Sequence, residues 1–273
     1  MTKIILELNI NKPDTISFAK QIINYLHEKN CEVYARYDLE KFLPNTKILS
    51  GDEKIIHSDY ILALGGDGTL LSCARRYLKF NKPILGINLG NLGYLTSVEK
   101  SNAFFAIDNL LQKNFQIEKR SMLQIKNNDK LTALNDICIG KSIASRLICF
   151  DLFINNNFID CYKADGIIIS TPSGSTAYNL SAGGPIIKPT LPVFVLTPIC
   201  AHTLYSRPIV ISDSDETKIC LKSEFDETKI IFDGQEILPM QKEITITRSI
   251  FSANIIKTNS SGFYDILRQK LFK

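Results

Sequence analysis

Residues 60 to 71 read YILALGGDGTLL, an apolar run that passes straight into Gly65, Gly66, Asp67 and Gly68. Asp-Gly beside further glycine is a hairpin signal, because such turns need positive φ and glycine adopts it without a Cβ clash. The next residues argue against a hairpin. A returning strand would alternate in polarity, whereas TLLSCARRYLKF places Leu70, Leu71, Ala74, Tyr77 and Leu78 on one face at helical spacing. The predicted order is strand, glycine turn, helix. That order aims unpaired backbone N–H groups and the positive helix end at whatever lies over the turn, and an anion such as phosphate suits it.

The surrounding sequence supports this order. KIILELNI reads as a buried strand and Asp14 to Glu28 as a helix with Ile16, Ala19, Ile22, Ile23 and Leu26 inward. CEVYARY and PILGINLG read as further strands, and AFFAIDNLLQKNF as a helix. Alternating strands and helices imply a parallel sheet covered by helices, with ligands at the carboxyl ends of its strands. After about Phe115 the pattern becomes strand-like: QIEKRSMLQIKN, LTALNDICIG, LICFDLFIN, NFIDCYKADGIIIST. A helix-like piece, GSTAYNLSAGG, interrupts this region before RPIVISDS, TKICLKS, TKIIFDGQEI and KEITITRSIFSANIIK resume the strands. The tail SGFYDILRQKLFK returns to helical spacing. The expectation is therefore an α/β N-terminal domain with a parallel sheet, residues 1–117, and a β-rich domain, residues 118–253.

Composition narrows the classes. The 273 residues carry a net charge of +4, with 32 Lys and Arg against 28 Asp and Glu dispersed along the chain, so nucleic acid is not an expected partner. No run approaches the roughly 20 apolar residues of a membrane span, and MTKIILELNI lacks a signal peptide's apolar region and cleavage site, which points to the cytoplasm. Seven cysteines without a Cys-x-x-Cys pair fit reduced, mostly buried thiols. His27, His57 and His202 lie far apart, and no Cys/His spacing matches a zinc site; a metal-binding set is not expected in the protein itself.

GGDGT alone is of modest specificity. Further segments raise it: GINLGNLGYLT from Gly86 to Thr96, the pair Asn135-Asp136, DGIIISTPSGSTAYNLSAGGP from Asp165 to Pro185, TPICAHTL with RP after it, DGQ at Asp233 to Gln235, and FYDILRQKL in the tail. With these in place the chain resembles the bacterial-type NAD kinases, which phosphorylate the adenosine 2′-hydroxyl of NAD to make NADP. The resemblance covers nearly the whole length. It implies a two-domain fold, an active site between the domains, and a tail, residues 254–273, that packs back on the first domain. Tyr94 stands where the family often has Phe, Asp136 where Glu is frequent, Ala201 where Pro often precedes the histidine, and Lys163 where Arg is common.

A ribose hydroxyl attacks poorly until a base takes its proton, and a carboxylate in reach supplies about 10²- to 10⁴-fold. Asp67 resembles the family's catalytic base. Gly65, Gly66 and Gly68 would let backbone N–H groups meet phosphates. Asn135 and Asp136 offer an amide and a carboxylate suited to adenine or a ribose diol, and by resemblance they hold NAD; without it they read as a strand-end turn. By resemblance the run Thr176, Ala177, Tyr178, Asn179, Leu180 and Ser181 lines the dinucleotide site. Ser173 and Ser175, with Thr176, either cap a helix or face the ligand. In the family an acidic residue at the position of Asp165 approaches the nicotinamide end. Lys163 either meets phosphate or is a solvated surface lysine. Gln235 is expected to touch ligand, while Asp233-Gly234 also suits a hairpin turn. His202 is left outside the catalytic set as a structural histidine. Mg²⁺ or Mn²⁺ is expected to arrive with ATP and be held largely through its phosphates. A homo-oligomer, dimer or tetramer, is the expectation from the family.

Lipid kinases of the diacylglycerol and sphingosine type share GGDGT but lack the STPxGSTAY segment combined with DGQ. Phosphofructokinases explain GGDG and little else. A non-catalytic nucleotide sensor has no use for a carboxylate beside the phosphates, and GGDGT is not the G-x-G-x-x-G of a Rossmann dehydrogenase.

Overall fold

The structure, a computed structural model, describes residues 1–10, 12, 14–90, 93–96, 98–141, 147–202, 206–222, 228–258 and 262–271. Asn91 and Leu92 of GINLGNLGYLT and Thr203 and Leu204 of TPICAHTL lie outside the described residues, as do Ser223, Ser261, Phe272 and Lys273. The chain divides into two compact units: Met1–Lys119 with Ala253–Lys273, and Arg120–Ser252.

The first unit contains β1 (Lys3–Leu8), α1 (Thr15–Glu28), β2 (Glu32–Ala35), β3 (Lys47–Ile48), α2 (Gly51–Ile56), β4 (Tyr60–Gly65), α3 (Asp67–Arg76), β5 (Pro83–Asn88), β6 (Val98–Glu99) and α4 (Ala103–Leu111). Strands β3, β2, β1, β4 and β5 lie side by side in that order, all parallel, and Asn254 and Ile255 pair in parallel with Pro83 and Ile84. The strands are short and apolar because both faces are covered. Ile4, Leu6, Leu62, Leu64, Leu85 and Ile87 pack with Phe18, Ala19, Ile22, Leu26, Ala106 and Ile107 in one core. Of the residues expected inward on α1, Ile16 is only partly buried, and Phe18 takes the place in the core. Leu70, Leu71 and Ala74 of the glycine-turn helix are buried, as are Tyr77 and Leu78, which fall just past its end at Arg76, in the C-cap and the following 3₁₀ turn.

The second unit contains β7 (Gln116–Ile125, entering from the first unit), β8 (Asn128–Ala133), β9 (Asp136–Lys141), β10 (Ile148–Ile154), β11 (Asn157–Ala164), β12 (Gly166–Ser170), α5 (Tyr178–Ser181), β13 (Val193–Ile199), β14 (Ile209–Ser212), β15 (Thr217–Leu221), β16 (Thr228–Phe232) and β17 (Glu236–Pro239). It also holds the first part of β18 (Glu243–Lys257); α6 (Phe263–Leu271) belongs to the first unit. One antiparallel sheet runs β14-β13-β12-β9-β16-β17. A second layer pairs β11 with β10, β10 with β15, and β15 with Glu243–Ile246 of β18. Alternate residues of both layers, among them Ile137, Ile167, Phe194, Phe150, Leu152 and Ile219, form its core.

Several segments read as continuous are divided. NFIDCYKADGIIIST breaks at Asp165 into β11 and β12, LTALNDICIG breaks between β8 and β9 at Leu134 and Asn135, and TKIIFDGQEI is the hairpin β16-β17. GSTAYNLSAGG is not one helix: a 3₁₀ turn, Gly174–Thr176, is separated from α5 by Ala177, whose φ of −95° and ψ of −131° leave the helical region. The cysteines are less buried than expected, with Cys31, Cys73 and Cys138 buried, Cys149, Cys161 and Cys220 half-buried and Cys200 exposed. No helix among the described residues is long and apolar enough to cross a membrane.

Candidate functional site

Two constellations stand out, one in each unit. In the first, the parallel registers Leu8↔Leu64, Leu64↔Ile87 and Gly65↔Asn88 bring the carboxyl ends of β1, β4 and β5 together. Asp67 is the first residue of α3, with Gly66 at the N-cap position. Its carboxylate is held by four donors from one loop. The Tyr94 N–H donates to Oδ2 at 2.8 Å; the Leu95 and Thr96 N–H groups donate to Oδ1 at 3.2 and 2.9 Å. The Thr96 hydroxyl donates to Oδ1 at 2.8 Å. Thr96 in turn accepts from Asn88 Nδ2 at 3.0 Å, and Asn88 Oδ1 accepts the Gly90 N–H at 2.8 Å.

This network fuses GGDGT to GINLGNLGYLT. It also explains Gly93, where a Cβ would overlap the Asp67 carboxylate. Gly68 is exposed at the helix start. Asn88 and Thr96 are both buried, and neither stood out in the sequence; their signal was the recurrence of a polar residue at the end of an apolar strand and of a hydroxyl eight residues later. The tail joins the same loop, since Lys270 Nζ of α6 lies 4.5 Å from the centre of the Tyr94 ring.

In the second unit the turn between β8 and β9 is the focus. The Asp233 carboxylate accepts the N–H groups of Leu134, Asn135 and Asp136 at 3.1, 2.7 and 3.3 Å. Asp233, at φ 51°, and Gly234, at φ 64°, form the tip of the β16-β17 hairpin. The DGQ aspartate therefore serves as an anchor for the Asn-Asp turn as well as a hairpin residue, a role not foreseen. From the other side the Thr171 N–H donates to the Asn135 carbonyl at 2.8 Å, and Gly174 packs so closely on that carbonyl that a Cβ would not fit.

So braced, the Asn135 side chain presents a buried Oδ1 with no hydrogen-bond partner. Such an atom costs about 1–3 kcal/mol unless something pairs with it, and a ligand amine or hydroxyl would. Asp136 beside it is buried, and desolvation, then the charge of Asp233, pushes its carboxyl up to about 7.

Asp136, Cys138 and Gly140 of β9 face the same way as their partners Ser170, Ile168 and Gly166 of β12, opposite to the core-facing Ile137, Ile139, Ile167 and Ile169. Tyr178 belongs to this face. Burial raises its hydroxyl pKa, and the charges of Cys138, Cys200, Asp165 and Asp136 add to the rise, so all four lie within electrostatic reach of the phenol. The structure thus brings Asn135, Asp136, Asp165 and Tyr178 to one surface, with Thr176, Ala177 and Leu180 half-buried and Ser181 exposed in the adjoining turn.

Other residues are placed differently. Asn179 is buried and its amide is occupied, donating to the Ser175 and Pro185 carbonyls at 3.1 Å each and accepting from Thr197 Oγ1 at 2.6 Å. The Ser175 hydroxyl accepts the Ile187 N–H at 3.0 Å and donates to the Pro172 carbonyl at 2.7 Å, while Ser173 accepts from Arg120 at 2.9 Å. Neither serine caps a helix. Asp165 is ion-paired to Lys141 at 2.7 Å. Lys163, His202 and Gln235 are exposed, Gln235 just past the hairpin tip.

Comparison with known proteins identifies the family of each half of the chain. The ATP-NAD kinase N-terminal domain matches residues 4–115 and the ATP-NAD kinase C-terminal domain residues 134–258. An NAD kinase of Moorella thermoacetica is 40% identical over 278 residues, covering 99% of this chain and 89% of that protein. One from Clostridium tetani is 38% identical, covering 97% and 98%. Among solved structures, an NAD kinase from Archaeoglobus fulgidus in complex with ATP superposes with a TM-score of 0.78 at 27% identity, covering 95% of this chain and 94% of that one. Yeast NADH kinase complexed with NADH shares the fold, with a TM-score of 0.87 at 24% identity over 100% of this chain and 87% of that one. Matched in both its halves and along nearly its whole length, the chain belongs to the ATP-NAD kinase family.

Proposed function

We propose that this chain is an NAD kinase that transfers the terminal phosphoryl group of ATP to the 2′-hydroxyl of the adenosine ribose of NAD, giving NADP and ADP. The observation that carries the reading is the Asp67 carboxylate, fixed by four donors at the glycine turn of a chain with both family domains. Asp67 is the base. As the ribose oxygen attacks phosphorus, its proton passes to the carboxylate while ADP departs. Oδ1 accepts three of the four donors and Oδ2 only the Tyr94 N–H, so Oδ2 keeps the lone pair that takes the proton.

The unpaired Asn135 Oδ1, the Asp136 carboxylate and the Tyr178 ring receive the adenosine part of NAD, with Asp165 further along the same face. Among the described residues no three His, Cys, Asp or Glu side chains converge. A Mg²⁺ or Mn²⁺ ion arriving with ATP would be held largely through phosphate oxygens and would neutralise charge on the transferred group. Activity in the cytoplasm and a homo-oligomeric state belong to the same proposal. Incubating pure protein with Mg-ATP and NAD, with diacylglycerol as a parallel acceptor, and reading NADP with an NADP-specific dehydrogenase tests it. NADP above a no-enzyme control is expected. Its absence across several donors and metals, or phosphorylation of the lipid alone, overturns the reading.

A further inference from the structure

Lys12 lies in the loop after β1, at the end of the sheet where β4 delivers the glycine turn. The loop is tied to that end: the Asn9 N–H donates to the Leu64 carbonyl at 3.1 Å, and the Lys12 N–H donates to the Asn9 carbonyl at 3.3 Å. From there the side chain reaches over two glycines that come after two different strands. A Cβ placed on Gly66 would lie 3.3 Å from Lys12 Nζ, and a Cβ on Gly90 would lie at the same distance. A side chain at either position would crowd the ammonium, and the two glycines leave it close to both backbones. Lys12 is half-buried, yet among the described residues its ammonium meets neither a carboxylate nor a hydrogen-bond acceptor. Asp67, close by in the same turn, has both carboxylate oxygens engaged by the loop from Tyr94 to Thr96.

A half-desolvated cation without a counter-ion, over open glycine backbone, is arranged for a small polyanion. We infer that Lys12 holds the phosphoryl group that the donor gives up, bridging the turns at Gly66 and Gly90. This rests on the kinase reading above. In the transfer the bond from the acceptor oxygen to phosphorus forms, the bond from phosphorus to the leaving diphosphate oxygen breaks, and the acceptor's proton goes to Asp67. Lys12 keeps its own proton throughout and balances charge on the moving group. The recognised chemistry is a terminal phosphate on a phosphate chain, whether it comes from a nucleoside triphosphate or from inorganic polyphosphate.

The test uses the full chain with Lys12→Met and Lys12→Arg. Initial rates are measured against ATP, against inorganic polyphosphate and against NAD, binding of inorganic tripolyphosphate is measured by calorimetry, and melting is measured on the same preparations. Lys12→Met is expected to lower kcat/KM for the donor by about 10²-fold while KM for NAD moves by less than about threefold. Tripolyphosphate affinity should fall by about tenfold or more, and Lys12→Arg should recover part of both losses. Lys12→Gln replaces Lys12→Met if the latter melts early.

Unchanged donor kinetics and tripolyphosphate affinity in folded Lys12→Met, with the wild type making NADP, overturn the inference and leave the kinase reading standing. A wild type that makes no NADP but binds tripolyphosphate through Lys12 overturns the kinase reading and leaves the phosphate site. Lower melting with unaltered tripolyphosphate affinity reduces Lys12 to a loop anchor and also overturns the inference.

Discussion

Asp67→Asn tests the chemistry at nearly constant size, although its NH₂ must face one of the loop donors that the carboxylate now accepts. The amide is nearly isosteric but accepts no proton from the 2′-hydroxyl, so turnover should fall by about 10²-fold or more. Melting, NAD binding and NADP formation on one preparation check this, and near-normal turnover in folded protein would remove Asp67 as the base. Asp136 gives a prediction in pH. Its folded pKa near 7 lies above the ordinary value of 3.8, so the folded protein holds this proton more tightly than the unfolded chain. That contribution is complete below about pH 4 and is lost as pH rises to about 7. Asp136→Asn should therefore melt above the wild type at pH 8 and approach it near pH 5, and the pH dependence of NAD affinity around 7 should flatten. Equal melting of the two at pH 8 would refute the burial argument. The glycine turn around Asp67 was legible in the sequence because apolar alternation gives way there to a helical face, whereas Asn135 and Asp136 read from the residues alone as a strand-end turn and gained a ligand role only from the family resemblance. The anchoring by Asp233 was not, since 98 residues separate it from Asn135 and no local pattern fixes that register.

At the scale of elements, the loop from Asn88 to Thr96 acts as a clamp on the start of α3. Thr96→Val deletes one donor to Asp67 and one acceptor of the buried Asn88 amide, at about 0.5–1.5 kcal/mol for each hydrogen bond lost. Turnover should fall, though less than in Asp67→Asn, since three backbone donors remain; scanning calorimetry beside steady-state rates checks both halves. In the second unit, Asn135→Ala or Tyr178→Ala should raise KM for NAD more than KM for ATP, and a selective loss of ATP affinity would exchange the two sites. The strand-turn-helix order around GGDGT was readable because the spacing changes from alternation to a helical face at the glycines. Residues 47 to 56 gave no such signal. Both residues of β3 are exposed and α2 has no buried residue, so no apolar pattern marks them. The single helix read through GSTAYNLSAGG failed for a related reason: Asn179 and Ser175 spend their side chains on neighbouring carbonyls, which composition does not reveal.

In the whole molecule, the first unit is assembled from both ends of the chain while the second is one continuous segment, Arg120–Ser252. Truncation after Ala253 would remove Ile255 and Ile256, both buried, and the bonds from Asn254 to Asn81. Limited proteolysis read by mass spectrometry should then find cleavage within residues 1–119 while residues 120–252 stay resistant; an intact first unit would show that the tail is dispensable. The two-unit texture was legible in the change of pattern near Phe115. The parallel pairing of Asn254 and Ile255 with Pro83 and Ile84 was not, because strand propensity names no partner. During synthesis this division acquires a time order. The segment carrying Asp67 leaves the ribosome first, yet its sheet waits for the strand that ends at Lys257, and the loop holding the carboxylate waits for Lys270. At about 5–20 residues per second the intervening segment takes on the order of ten seconds to emerge. A nascent chain thus completes the surface around Asn135, Asp136 and Tyr178 while the glycine turn around Asp67 still lacks partners from the tail, and the earliest-made part of the chain is the last to be completed.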